Sequence, residues 1–251
     1  MIKLNDREYQ TFINFTKSRF GIDLEGKREL IESRLSFDLE RNGYTSFTKY
    51  IELIMAQPNG VECQKMLNKI TTNHTYFFRE DDHFHHLQKI VIPEIAKRNL
   101  SYSFNIWSAA SSSGQEPYTA AMVVDDAIKK LRLNWTWSII GSDISMNVLT
   151  KAKAGIYPAN ELEAIPSVYH QYCKVNNANY TFEVSNDLKR NMNFKIQNLM
   201  EPFPYKDQFD IVFCRNVMIY FDKPTREQLI ANIYKTVKPG GYLYVGTTES
   251  I

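Results

Sequence analysis

The sequence predicts an α/β fold: a doubly wound, mostly parallel sheet behind an N-terminal all-α domain, with a small β subdomain inserted late in the chain. Three observations carry this. The first hundred residues show helical spacing of apolar side chains and little strand texture. From residue 103, short apolar runs ("SFNIWSA", "WTWSIIGSD", "NFKIQNL", "DIVFCRN", "GYLYVGT") alternate with helical stretches, the pattern of a sheet covered on both faces. One interval of roughly forty residues between "MNVLTKAKAGI" and "NFKIQNL" breaks the alternation and is too long for an ordinary connection.

Taken in order, "DREYQTFINFTKSRFGIDL" places Tyr9, Phe12, Ile13 and Phe20 at helical spacing and stops at Gly21. "KRELIESRLSFDLERNG" puts Leu30, Ile31, Leu35 and Leu39 on one stripe, with Gly43 as its stop. Thr45 or Ser46 is expected to cap "SFTKYIELIM", which ends before Gln57-Pro58, and "VECQKMLNKI" forms a further helix. The predicted organisation is a helical domain over residues 1–72 and a connecting segment over 73–102. A sheet domain follows over 103–251, with the inserted β subdomain, built around "NYTFEV", at about 156–190.

Composition narrows the classes of function. The 251 residues are 43% apolar and 23% charged, ordinary for a globular protein. A net charge of +2 gives no field that argues for nucleic acid or anionic lipid. No apolar run approaches the roughly 18 residues of a membrane span. Cys63, Cys173 and Cys214 are odd in number and widely spaced, which fits reduced thiols and a cytoplasmic location. His83, His85 and His86 in "DDHFHHL" lack the partners of a three- or four-ligand zinc site, so no metal is expected. Cys214, in a buried run, is expected in the core rather than as a nucleophile.

Chemistry in such sheets sits beyond the carboxyl ends of the strands. After the first strand, "WSAASSSGQEPYTAAM" offers small residues that let a ligand approach the main chain, then a helix whose first turn suits Pro117. The glycine spacing of a pyrophosphate cradle is missing, and Glu116 places a carboxylate where a phosphate would sit. That carboxylate suits a cationic amino-acid group beside a sulfonium; a plain strand-to-helix turn is the alternative. Asp143, ending the second strand in "IIGSD", is either the cap of the next helix or an acceptor for two ribose hydroxyls. Together the two acids suggest a phosphate-free nucleoside such as S-adenosylmethionine. In "FDIVFCRNVMIYFD", Val217, Met218 and Ile219 are expected to pack in the core, whereas Asn216 and Tyr220 are candidates for function.

The set "TTNHTYFFRE", "WSAASSSGQEPYTAAM", "GSDIS", "FCRNVMIYFD" and "KPGGYLYVG" closely resembles the chemotaxis receptor methyltransferases, the CheR family, over nearly the whole chain. The resemblance implies a Rossmann-like class I methyltransferase fold. It also implies transfer of a methyl group from S-adenosylmethionine to glutamate side chains on the cytoplasmic helices of chemoreceptors, leaving S-adenosylhomocysteine. It assigns Asn73, Thr75, Arg79, Glu116, Asp143, Asn198, Leu199, Arg215 and Asn216 to the cofactor, and it places Arg79 and Tyr220 near the reacting methyl. His74 stands where an apolar residue is expected in the first motif.

Three departures from the family follow. The stretch from Asp23 to Arg41 carries four basic residues (Lys27, Arg28, Arg34, Arg41) against six acidic ones, with Phe37, Asp38 and Glu40 at places often basic, so electrostatic steering of an acidic receptor is expected to be weak. The turn in "CKVNNANYTF" has no glycine, so a tether to a receptor's C-terminal pentapeptide is not expected. The sequence ends at "GTTESI", where the class usually carries two more strands; the fifth strand is expected to be an exposed edge that lowers stability or is covered by another element or chain. A monomer without nucleic-acid or membrane partners is the expected state. The rivals are a non-catalytic interaction module and a methyltransferase for another carboxylate or a small molecule. Retention of Asn73, Arg79, Glu116, Asp143 and Asn216 together argues against the module.

Overall fold

The computed structural model describes residues 2–98 and 101–249. Four helices come first: α1 (Asp6–Phe20), α2 (Arg28–Arg41), α3 (Thr48–Ala56) and α4 (Val61–Ile70). α1 opens on a capping box, with Asn5 and Glu8 each accepting the other's backbone N–H, and closes on left-handed Gly21. Phe12, Ile31, Leu35, Phe47, Ile54, Met66 and Leu67 form its core, and Leu30 is only half-buried at its margin. Neither Thr45 nor Ser46 caps α3. That helix starts one or two residues later, behind Phe47, because burying the Phe47 ring outweighs a side-chain cap.

The connecting segment runs through α5 (Asp82–His86), a π turn (Leu87–Val91) and α6 (Ile92–Arg98). Pro93 has no N–H for the carbonyl four residues back, and the π turn absorbs that break. The sheet domain then alternates: β1 (Ser103–Ser108), α7 (Gln115–Lys130), β2 (Thr136–Asp143) and α8 (Met146–Ala154). The insertion follows as β3 (Ile156–Pro158), two 3₁₀ turns, β4 (Cys173–Asn176), β5 (Thr181–Val184) and the single turn α9 (Asn186–Lys189). The chain returns with β6 (Met192–Ile196), β7 (Phe209–Cys214), α10 (Lys223–Tyr234) and β8 (Val237–Val245).

The main sheet is parallel throughout, in the order β6-β2-β1-β7-β8. Strand order reverses between β1 and β7, and the crevice of a doubly wound sheet opens there. β7 is buried along its whole length, as a continuous apolar run in a two-sided sheet should be. α7 is buried almost all round, from Gln115 to Ile128, which explains its run "AAMVV". β3, β5 and β4 make a separate antiparallel sheet. Its Tyr157 and Phe182 pack on Phe77 of the connecting segment at ring separations of 4.9 and 5.6 Å. β8 pairs only with β7 among the described residues and so forms the sheet's edge. Glu94 and Arg98 of α6 reach across to Tyr242 and the Gly240 carbonyl on that strand.

Two placements differ from the sequence expectation in the turn after β7. Met218 is in the core, but Val217 is only half-buried and Ile219 is 54% exposed, because a 3₁₀ turn (Met218–Tyr220) points one of the three side chains outward. Asp143 does not cap α8; Ser145 does, accepting the N–H of Val148.

The helical layer lies over the carboxyl rim of the sheet. Asn198 Nδ2 donates to the Arg19 carbonyl at 2.8 Å, and the Asp23 N–H donates to the Tyr220 carbonyl at 2.9 Å. Lys17 pairs with Asp222 and Arg19 with Glu201, both at 2.8 Å.

Gly114 is a tight turn position beneath that layer. Its φ is +99°, and a Cβ there would sit 2.8 Å from Tyr157 Oη and 2.9 Å from Ala152 Cβ. Gly114→Ala is therefore expected to lower unfolding free energy by about 1–3 kcal/mol. Denaturant titration checks this; an unchanged midpoint would contradict the turn's geometry.

Candidate active site

All ten residues singled out in the sequence line one pocket: Asn73, Thr75, Arg79, Glu116, Asp143, Asn198, Leu199, Arg215, Asn216 and Tyr220. It lies above the ends of β1, β2, β6 and β7. The helical layer closes it with Phe20 and Ile22, and the connecting segment with residues 71–76. The sequence analysis did not single out Phe20, Ile22, Thr71, Thr72, Tyr76, Phe84, Ser112, Ile144, Gln197 or Phe221 as pocket residues. Ser112 could have been found from the small-residue run. Phe20 and Ile22 had no local signal, because they reach the pocket only through domain docking.

The first strand end is a short-side-chain platform. Ser112 takes a φ of +46° and Gly114 a φ of +99°. The Ser112 N–H donates to Asp143 Oδ2 and the Ser145 N–H to Asp143 Oδ1, both at 2.9 Å. Asp143 thus braces the tips of β1 and β2 against each other. Burial pushes its carboxyl above the ordinary value, and these N–H donors offset part of the rise. Ser112 Oγ donates to the Asn73 carbonyl at 3.0 Å, which fastens the connecting segment to the same platform.

Glu116, in the first turn of α7, accepts from Ser108 Oγ at 2.7 Å and from Arg215 Nη1 at 3.2 Å. Its side chain is 13% exposed and that of Arg215 only 1%. Burial pushes the Glu116 carboxyl up, and the Arg215 guanidinium offsets part of this. Arg215 also meets Glu80 at 3.2 Å, donates to the Arg79 carbonyl and lies 5.3 Å over the Phe84 ring. For Glu80 burial likewise pushes upward, but the Asn216 amide and Arg215 outweigh it, so its carboxyl sits below the ordinary range.

Arg79 is held between two residues in the left-handed region, Phe78 at φ +57° and Glu80 at φ +54°. Such backbone persists only where its surroundings fix it. Here Phe78 stacks on Tyr169 with ring centres 5.2 Å apart, and its N–H donates to Thr119 Oγ1. Arg79 Nη1 donates to the His74 carbonyl at 2.8 Å, so His74 contributes its backbone whatever its side chain. Across the opening, Tyr220 Oη lies 3.4 Å from the Thr72 carbonyl. His83 and His86 both pack against Tyr244, the latter through a 2.9 Å hydrogen bond, and neither faces the pocket. Cys214 is buried and its thiol is pushed far up by burial, as a core cysteine's should be.

The donor set fits S-adenosylmethionine. Two carboxylates face a space whose apolar walls include Ile22, Ile144, Leu199, Val217 and Phe221, and the helix end that would cradle a phosphate carries Glu116 instead.

A parallel sheet with this crevice and donor set defines a nucleoside-cofactor methyltransferase, and the comparisons agree. Residues 73–251 match the model of the CheR methyltransferase, SAM binding domain, and residues 7–71 match that of the CheR methyltransferase, all-alpha domain. The chemotaxis protein methyltransferase of Borreliella burgdorferi is 39% identical, with 100% of this chain and 90% of that one covered. That of Salmonella typhimurium is 34% identical (99% and 85% covered), and chemotaxis protein methyltransferase Cher2 of Pseudomonas putida 33% (97% and 90%). The chain belongs to the CheR methyltransferase family, and its cofactor is S-adenosylmethionine. Among the described residues no helix is long and apolar enough to cross a membrane.

The Glu80 arrangement has a pH signature. A carboxyl held below its ordinary value of 4.5 contributes stability that is fully present above that value and lost as pH falls through the lower, folded one. The stability difference between wild type and Glu80→Gln should therefore shrink with acidification. A constant difference, measured by denaturation across the carboxylate range, would contradict this.

Proposed function

We propose that the protein methylates glutamate side-chain carboxylates of chemoreceptors, giving glutamate methyl esters and S-adenosylhomocysteine. The observation that carries this is the pocket itself: two buried carboxylates at the sheet's rim, with Arg79 and Tyr220 at the pocket's open side. The names of the relatives support the receptor as the acceptor's source.

When bound, S-adenosylmethionine supplies an electrophilic methyl on a sulfonium. Glu116 receives the cofactor's ammonium group, and Arg215, spent on Glu116, Glu80 and the Arg79 carbonyl, keeps that carboxylate aimed from behind. Asp143 accepts the ribose hydroxyls; each of its oxygens already takes one backbone N–H and has a lone pair to spare. Asn198 and Leu199 border the base, while Asn73 and Thr75 close the near side. The acceptor glutamate, with an ordinary pKa near ~4.3, is ionised at neutral pH and needs no general base. Arg79 and Tyr220 orient it by charge-assisted hydrogen bonds, so positioning and exclusion of water supply the rate.

The outer face of α2 gives the receptor little charge to follow. Arg34 Nη1 donates to the Lys69 and Ile70 carbonyls and so caps α4, and Asp38 pairs with Lys69. Receptor binding through this face should therefore depend only weakly on salt.

Two outcomes are expected. With a labelled methyl donor and receptor fragments, label is transferred in a base-labile form, and Tyr220→Phe and Arg79→Ala each lower kcat by roughly tenfold to a hundredfold. Unchanged turnover in both would remove them from the mechanism, and base-stable label would remove the ester. Second, because burial raises the Glu116 carboxyl and a bound ammonium favours its ionised form, cofactor affinity should rise with pH as Glu116 titrates and then level off. Calorimetry of wild type against Glu116→Gln checks this; the same pH profile in both would contradict the role.

A further inference from the structure

The floor of the opening is made by the turn Asn216–Tyr220, and its backbone is held from a distance. Glu249, which does not line the pocket, accepts three backbone N–H groups at 2.7 Å each. Its Oε2 takes those of Asn216 and Gly246, and its Oε1 takes that of Met218. Two of the three donors thus belong to a segment 31 to 33 residues earlier in the chain. A carboxylate that only closed its own turn would need Gly246 alone.

Three further observations converge on this contact. Asn216 holds a φ of +57°, a conformation sparsely populated by residues with a side chain, and it is the residue whose N–H Glu249 takes. Asn216 Nδ2 donates to Glu80 Oε1 at 2.9 Å and the Thr247 N–H to Glu80 Oε2 at 3.1 Å, so the segment after β8 is also pinned to the residue following Arg79. A Cβ on Gly246 would come within 2.7 Å of both Glu249 Oε2 and Asn216 Nδ2. A side chain there would have to displace one of these two groups.

We propose that Glu249 is a positioning residue for methyl transfer: it fixes the Asn216–Met218 backbone and thereby the placement of Tyr220. The proposal rests on the assignment of this pocket to the cofactor and of Tyr220 to the acceptor. Glu249→Gln keeps size and shape but turns one acceptor oxygen into an NH₂ group facing a backbone donor, so shape alone cannot rescue it.

The test measures steady-state methyl transfer to a receptor fragment and calorimetric binding of S-adenosylhomocysteine. It compares wild type, Glu249→Gln, Tyr220→Phe and the double variant. In Glu249→Gln, kcat is expected to fall roughly tenfold or more while receptor KM moves less than about twofold. In that background Tyr220→Phe should cost less than about threefold further, because the tyrosine is already misplaced. A folded Glu249→Gln with kcat within about twofold of wild type, or full additivity with Tyr220→Phe, would overturn the proposal. If Glu249→Gln does not fold, Gly246→Ala is read by the same criteria; loss of folding in both would assign the carboxylate to stability alone and overturn it too. Wild type that binds no S-adenosylhomocysteine would instead overturn the pocket assignment, and the proposal with it.

Discussion

Arg215 sits at the end of β7 with its side chain almost wholly withdrawn from water, between Glu80 and Glu116 and against the carbonyl of Arg79. Removing one partner from such a buried group costs about 3–5 kcal/mol, because the charge left behind has no water to turn to. This one cation therefore dictates three placements together: the first turn of α7, the connecting segment and the tip of β7. The two carboxylates differ because of what else they meet. Glu80 gains an amide and a backbone N–H and stays below its ordinary pKa, whereas Glu116 has less compensation and is pushed up. The carboxylate facing the pocket is the one left short of partners, a usual property of a functional group.

The second constraint is that the pocket belongs to no single domain. Phe20 and Ile22 come from the helical layer, residues 71–76 and Arg79 from the connecting segment, and the acids from the sheet. The helical layer meets the rim through polar contacts that include the Asn198 and Asp23 hydrogen bonds and the Lys17–Asp222 and Arg19–Glu201 pairs, whereas the connecting segment packs into the sheet's apolar core through Phe77, Phe84, Leu87 and Val91. Exposed ion pairs of this kind contribute little. A ligand touching all three parts adds its own binding energy to their docking.

Much of this was legible in the sequence because strand tips are local features. A parallel strand ends where its apolar run ends, and the residues at that point face the crevice: Asp143 closes β2 and Arg215 and Asn216 follow β7, while Glu116 stands in the first turn of the helix after β1. Arg79, Asn73, Thr75, Asn198 and Leu199 came through the family likeness of their motifs rather than through periodicity. What stayed hidden was non-local. Nothing in the local sequence marks Glu80 or Glu249; the fold brings Asn216 to both and Arg215 to Glu80. Phe20 read as core, which it is, while also walling the pocket. Two local rules failed where packing overrode them: Phe47 took the place of a side-chain cap, and the 3₁₀ turn sent Ile219 out to solvent.

The central claim is that the cofactor occupies the crevice between helical layer and sheet, held by acids rather than by a phosphate cradle. The most direct measurement is a crystal structure of the protein with S-adenosylhomocysteine. The ammonium end is expected at Glu116 and the ribose at Asp143. An empty crevice, with both carboxylates turned from the ligand, would contradict it.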